Sequence, residues 1–189
     1  MKALRAAVAR AAGWLSAVYA LDLEIDAASF VIAAETGRGL VEGPAPRSGI
    51  VAQQWGQELQ LALYVDPRDQ RDPGTIVEET SHLLCLAWHA AHDLPVSVLV
   101  LELQGEIDRF LFARHRGRDP FSHFERFRWA DWLDAPQRGR YEVAHHAAHR
   151  YCRRLSRRFP TPADSPALLR ELRDFYRASP QSKLRATAV

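Results

Sequence analysis

Residues 78–82 read Glu-Glu-Thr-Ser-His, acids and an imidazole set at helical spacing. On a helix, Glu78 and His82 are four residues apart and share a face, while Glu79 projects from a neighbouring position toward the same end. A carboxylate and an imidazole one turn apart can hold a divalent metal. A glutamate beside them can act as general base on a metal-bound water. A further ligand has to come from another element, and Glu102, Glu106 and Asp108 follow on the next helical stretch.

The elements that must position these groups follow from periodicity and breaks. A helix is predicted from Thr75, its cap, to about His92, with Ile76, Leu83, Leu84 and Ala87 as its apolar stripe. Asp93-Leu94-Pro95 breaks it, and a second helix runs from about Val96 to Arg114. Helices joined by so short a break are expected to pack as an antiparallel hairpin. His82 lies about ten residues before the break and Glu106 about ten after it, so at ~1.5 Å of rise per residue they sit level. This favours Glu106 as the third ligand and leaves Glu102, about one turn nearer the break, open. Upstream, Leu4, Val8, Ala11, Leu15 and Val18 predict an amphipathic helix rather than a secretory signal, because Arg10 interrupts any apolar run. Strands are predicted at Ser29–Ala33, Ile50–Ala52 and Glu58–Val65, with a short one near Leu40–Val41 and a turn region around Gly43 and Pro44. Downstream, Phe121–Trp132 reads as a short helix or packed loop, and Arg140–Arg158 as a helix. A linker is marked by Pro160, Pro162 and Pro166, and a last helix by Pro166–Ala178. The tail is expected to fray from about residue 180. The order gives an α+β fold, with a core over residues 1–116 and a helical extension over 117–189 packed on it.

With those elements in place, the chain resembles the ImmA/IrrE-type zincin-like metallopeptidases. In that family a His-Glu-x-x-His helix is followed by a helix carrying a Glu-Ala-Asn-x-x-Phe-like run. Here the corresponding stretches are Thr75–Leu84 and Glu102–Phe110, with Asp108 at the Asn/Asp position and Phe110 one residue short of the phenylalanine. The resemblance implies Glu79 as catalytic base and His82 and Glu106 as metal ligands, with Glu78 standing where the family has its first histidine. Glu102, twenty residues after His82, stands equally at the spacing of the glutamate ligand in thermolysin-like gluzincins. Exchanging a neutral imidazole for a carboxylate makes the metal a weaker Lewis acid and shifts the donor set toward harder ions. The expectation is therefore one divalent metal (Zn, Mn or Fe) or none, and a catalytically degenerate protein acting as a regulatory or interaction module. The alternative is an active metal-dependent peptidase with Glu79 as general base.

Other readings compete. Glu79–His82 and Glu142–His145 are both Glu-x-x-His pairs, and with Glu102 or Glu106 and Glu24 or Glu35 they could build a di-metal carboxylate site of the ferritin-like kind. Alternatively, Glu78, Glu79 and Glu106 are plain helix-surface acids, the first two favouring the dipole of a first helical turn. His89, His92, His145, His146 and His149 read as exposed or hydrogen-bonded helix histidines, and Cys85 beside His89 as a buried thiol. Arg150, Arg153, Arg154, Arg157 and Arg158 form a basic helix end without a recognition motif, so another protein is the expected partner rather than nucleic acid. Phe124, Phe127, Trp129 and Trp132 are expected to cover the core.

The composition is that of a globular domain: 189 residues, 47% hydrophobic, 25% charged, net charge +2. The two cysteines form no CxxC pair, which points to a reducing compartment, and no stretch approaches a membrane span. A cytoplasmic protein is expected.

Overall fold

The computed structural model describes residues 1–41, 45–56, 58–125, 135–160 and 166–188. The turn at Gly43 and Pro44, the aromatic residues Phe127, Trp129 and Trp132, and the linker residue Pro162 lie outside them. The fold is α+β, with eight α-helices and one two-stranded antiparallel sheet among the described residues. None of these helices is long and apolar enough to cross a membrane. The chain forms two compact units, one of residues 1–16 and 21–95, the other of residues 17–20 and 96–189.

In the first unit, α1 (Lys2–Tyr19) buries Leu4, Val8, Ala11 and Leu15, the stripe its periodicity predicts. Strand Ser29–Ala33 is not formed. Asp26 accepts a hydrogen bond from the Ala28 N–H at 3.0 Å, and the Ser29 hydroxyl donates to the Asp26 carbonyl at 2.7 Å. These local bonds close a 3-10 turn over Ala27–Phe30, so that Val31 alone bridges to Leu63. The short strand near Leu40 is likewise not formed: Leu40 and Val41 are the turn that follows a helix, α2 (Ala34–Gly39), which has Glu35 in its first turn and Arg38 in its last, each matched to the helix dipole. Strands β1 (Gly49–Trp55) and β2 (Glu58–Tyr64) pair in register from Gly49–Tyr64 to Trp55–Glu58, and Gly56 turns between them at φ 61°.

α3 (Pro73–Ala91) begins earlier than Thr75 suggested. Asp72 is its cap, accepting from the Gly74 N–H at 3.0 Å, with Pro73 in the first turn where a missing N–H costs nothing. The helix lies on both strands and on the 3-10 turn. Its Ile76, Val77, Leu83, Leu84 and Trp88 are buried, as are Val51, Leu63 and Val65 of the hairpin and its exit. Two further close fits hold this unit. Trp88 Nε1 donates to Asp22, and the Tyr64 side chain packs closely against Gly37, which has no side chain to obstruct it.

In the second unit, α4 (Val98–His115), capped by Ser97, packs on α6 (Ala135–Arg158), with the single turn α5 (Ser122–Glu125) between them in sequence. α7 (Pro166–Arg177) buries Leu168, Leu172, Phe175 and Tyr176. The tail does not fray. Ser179 caps a further helix, α8 (Pro180–Thr187), which packs on α6 and buries Lys183 and Thr187. Arg150 donates to the Thr187 carbonyl at 2.9 Å, and Arg154 donates to that of Ala186. Two guanidiniums thus satisfy carbonyls that the last turn leaves open.

Replacing Gly37 by alanine should destabilise the first unit, because the added methyl group would overlap the Tyr64 ring. The expected loss is about 2 kcal/mol, read as a lower urea midpoint at unchanged slope. An unchanged midpoint would show that the ring moves aside freely.

Candidate functional site

α3 carries its polar residues inside. Glu79, Thr80, Ser81 and His82 are all buried, while Glu78 is half-buried. The helix starts at Pro73, so Glu78 and Glu79 fall in its second turn and do not serve its dipole as first-turn acids. Glu79 is also no surface acid, because it is buried. Its Oε2 lies 3.6 Å from His82 Nδ1, an ion-pair distance beyond that of a hydrogen bond. Thr80 satisfies itself by donating to the Ile76 carbonyl at 2.7 Å. Burial raises the pKa of the Tyr64 phenol, and the nearby Glu79 charge raises it further against the opposing pull of Arg38.

α4 is the more developed centre. Glu106 is buried, and each of its oxygens meets an imidazole: Oε1 meets His145 Nδ1 at 2.9 Å, and Oε2 meets His123 Nε2 at 3.0 Å. The His145 contact is aligned as a hydrogen bond, whereas the His123 contact is a close ion pair without that alignment. Burial alone would push the Glu106 carboxyl up. The contacts to His123 and His145, and their positive charge, reverse this and hold it at about 2, against an ordinary 4.5. The Phe124 ring lies over His123, with centroids 3.9 Å apart, and 5.2 Å from His145, closing the cluster with apolar surface. Two residues along α4, Asp108 accepts hydrogen bonds from the Tyr19 hydroxyl and, at 3.2 Å, from Gln104 Nε2, which also donates to the Tyr19 oxygen at 2.9 Å. Burial, and then the Asp108 charge, raises the Tyr19 pKa well above its ordinary value, so the phenol stays a donor.

The expected ligand residues divide between the units. Glu78 and His82 stand on α3 in the first, and Glu102, half-buried, and Glu106 on α4 in the second. Both Glu106 oxygens are engaged by imidazoles. Among the described residues, no group of three or more His, Cys, Asp or Glu side chains is arranged to hold a metal ion. As placed, Glu106 is committed to His145 and His123 rather than free for the metal that the resemblance implies.

His123 and His145 are the residues the sequence did not mark for this role. His145 stands out in the sequence only as the partner of Glu142 and as one of several helix histidines, and His123 not at all. The Glu142 side chain is instead exposed, 3.8 Å from His146, while His145 turns inward to Glu106. Glu24 and Glu35, the inward acids that a di-metal site would need, are exposed. His89 and His92 each bond a carbonyl one turn back, those of Cys85 and Trp88, at 2.8 Å. Cys85 and Cys152 are buried and form no disulfide. The basic end of α6 is largely spent internally: besides the bonds from Arg150 and Arg154 to α8, Arg158 meets Glu171 at 2.7 Å.

The Glu106 cluster carries a pH signature. Because the folded pKa lies below the ordinary one, the carboxylate's contribution is complete above about pH 4.5 and is lost as the pH falls toward 2. Glu106→Gln should therefore cost about 3 kcal/mol near neutrality and little in strong acid. Urea unfolding of both proteins across that range checks it, and a gap that did not narrow with acid would refute the assignment. No protein-family model, no curated protein and no solved structure matches this chain.

Proposed function

We propose that this chain is a zincin-like metallopeptidase-fold protein that has lost catalysis and works in the cytoplasm as a regulatory or interaction module toward another protein. One observation carries the reading. Glu106, at the glutamate-ligand position under the resemblance, has each carboxylate oxygen against an imidazole and a pKa held at about 2. A carboxylate so committed must give up two imidazole partners before it can serve a metal, and leaving a buried charge unpaired costs several kcal/mol. Glu78, in place of the first histidine, weakens the case for a catalytic metal from the other side. The internal bonds of Arg150, Arg154 and Arg158 weigh against a nucleic-acid partner.

A second reading, an active metal-dependent peptidase with Glu79 as general base, is favoured by the burial of Glu79 beside His82. One experiment separates the two. The chain is purified without chelator, assayed for Zn, Mn and Fe, and incubated with casein beside its Glu79→Gln variant. The degenerate reading expects no cleavage from either protein. Stoichiometric metal together with cleavage that Glu79→Gln abolishes would overturn it.

A further inference from the structure

On α6, His145, His149 and Arg153 follow one another at intervals of four, so they share one face of the helix. All three line an open cavity of about 590 Å³, to which Phe121 and Phe124 also contribute. The His149 ring lies 5.0 Å from Phe124 and 5.9 Å from Phe121, centroid to centroid, so imidazole and aromatic surfaces meet there.

We propose that this cavity binds a small organic anion, a carboxylate or phosphate borne on an aromatic body, with Arg153 and His149 holding the charge and Phe121 and Phe124 the ring. Its volume is that of an ordinary small-molecule site, roughly 300–1,000 Å³. Arginine keeps its charge at any physiological pH and offers a planar fork of donors to oxyanions. Phenylalanine rings accept an aromatic body by stacking or edge contact. None of these side chains belongs to the zincin resemblance, so the inference stands or falls apart from that reading.

The electrostatics of His149 agree. Burial lowers its pKa, and the neighbouring Arg153 guanidinium and the imidazoles of His145, His146 and His123 lower it further. Arg153 thus sets a positive charge near this imidazole, while Asp119 and Glu125 also stand at the cavity. Both acids are exposed, and Asp119 already accepts the Phe121 N–H at 3.0 Å. Glu106 is matched to His145 at 2.9 Å rather than to Arg153 or His149. An anion entering here relieves the repulsion around His149, raises its pKa and draws a proton onto the ring. Binding therefore tightens as the pH falls.

The test is calorimetric titration of the full chain with benzoate, phenyl phosphate and inorganic phosphate at about pH 6 and about pH 8. Benzoate carries the pH comparison, since its own charge is constant over that range. The proposal expects saturable binding of at least one aromatic anion, roughly tenfold tighter than inorganic phosphate. Which aromatic anion binds more tightly tells carboxylate from phosphate. Benzoate, where it binds, should gain roughly tenfold at the lower pH, and His149→Gln should remove that gain. Arg153→Ala, an exposed position expected to leave the circular dichroism spectrum intact, should weaken binding roughly tenfold. The idea is overturned if no probe saturates at millimolar concentration, if inorganic phosphate binds as tightly as the aromatic anions, or if Arg153→Ala changes nothing. Zinc binding that depends on His149, with no anion binding, overturns it in favour of a cation site.

Discussion

α4 buries Gln104, Glu106 and Asp108 within little more than one turn, and a buried polar group without a partner costs more than most single contacts return. The second unit is arranged to meet that demand. α5 brings His123 and α6 brings His145 to one carboxylate, and residues 17–20 bring Tyr19 to the other. Each partner arrives from a different element, so the polar residues of α4 set the positions of the segments around it. Phe124 then lies over the imidazoles, and Tyr176 stacks on Tyr19 with centroids 4.4 Å apart. The apolar packing of the unit thus follows its polar pairing.

Arginine does the same work at the helix ends. Arg173 and Arg177 of α7 donate to the carbonyls of Val18 and Tyr19 at 3.0 Å and to that of Ala20 at 2.8 Å. Val18 and Tyr19 are among the last acceptors of α1, and Ala20 follows its end. Arg150 and Arg154 treat the end of α8 alike, and Arg114 donates to the Phe159 carbonyl. A basic stretch that composition alone reads as a surface for an acidic partner is here partly a set of internal clamps. Arg153, on the cavity face of α6, is used differently from its neighbours Arg150, Arg154 and Arg158.

In the first unit, the run Glu79–His82 shows how far a helical register can be trusted. The spacing placed these residues on α3 and set Glu79 close to His82, as found at 3.6 Å. It could not show that the second turn of the helix would be enclosed, because Glu79, Thr80, Ser81 and His82 carry no apolar mark. Enclosure comes from the hairpin and the 3-10 turn beneath α3, and the apolar run Phe30, Val31 and Ile32 favours a strand where that turn ends. Asp26 decided that segment through a bond to the backbone two residues on, which outweighed the β-propensity of the apolar run.

By itself, the sequence determined the α+β order, the long helices and their stripes, and the residues of α3 and α4 able to do chemistry. These follow from periodicity, caps and breaks, which act over a few residues and can be read along the chain. Tertiary structure alone decided what Glu106 is for. Its partners stand 17 and 39 residues away on separate elements, and no local rule ties Glu106 to His123 or His145. The same holds for α8, where the residues expected to fray are held by α6. A carboxylate's chemistry depends on the charges and dielectric that enclose it, and those come from whichever segments folding brings within about 4 Å.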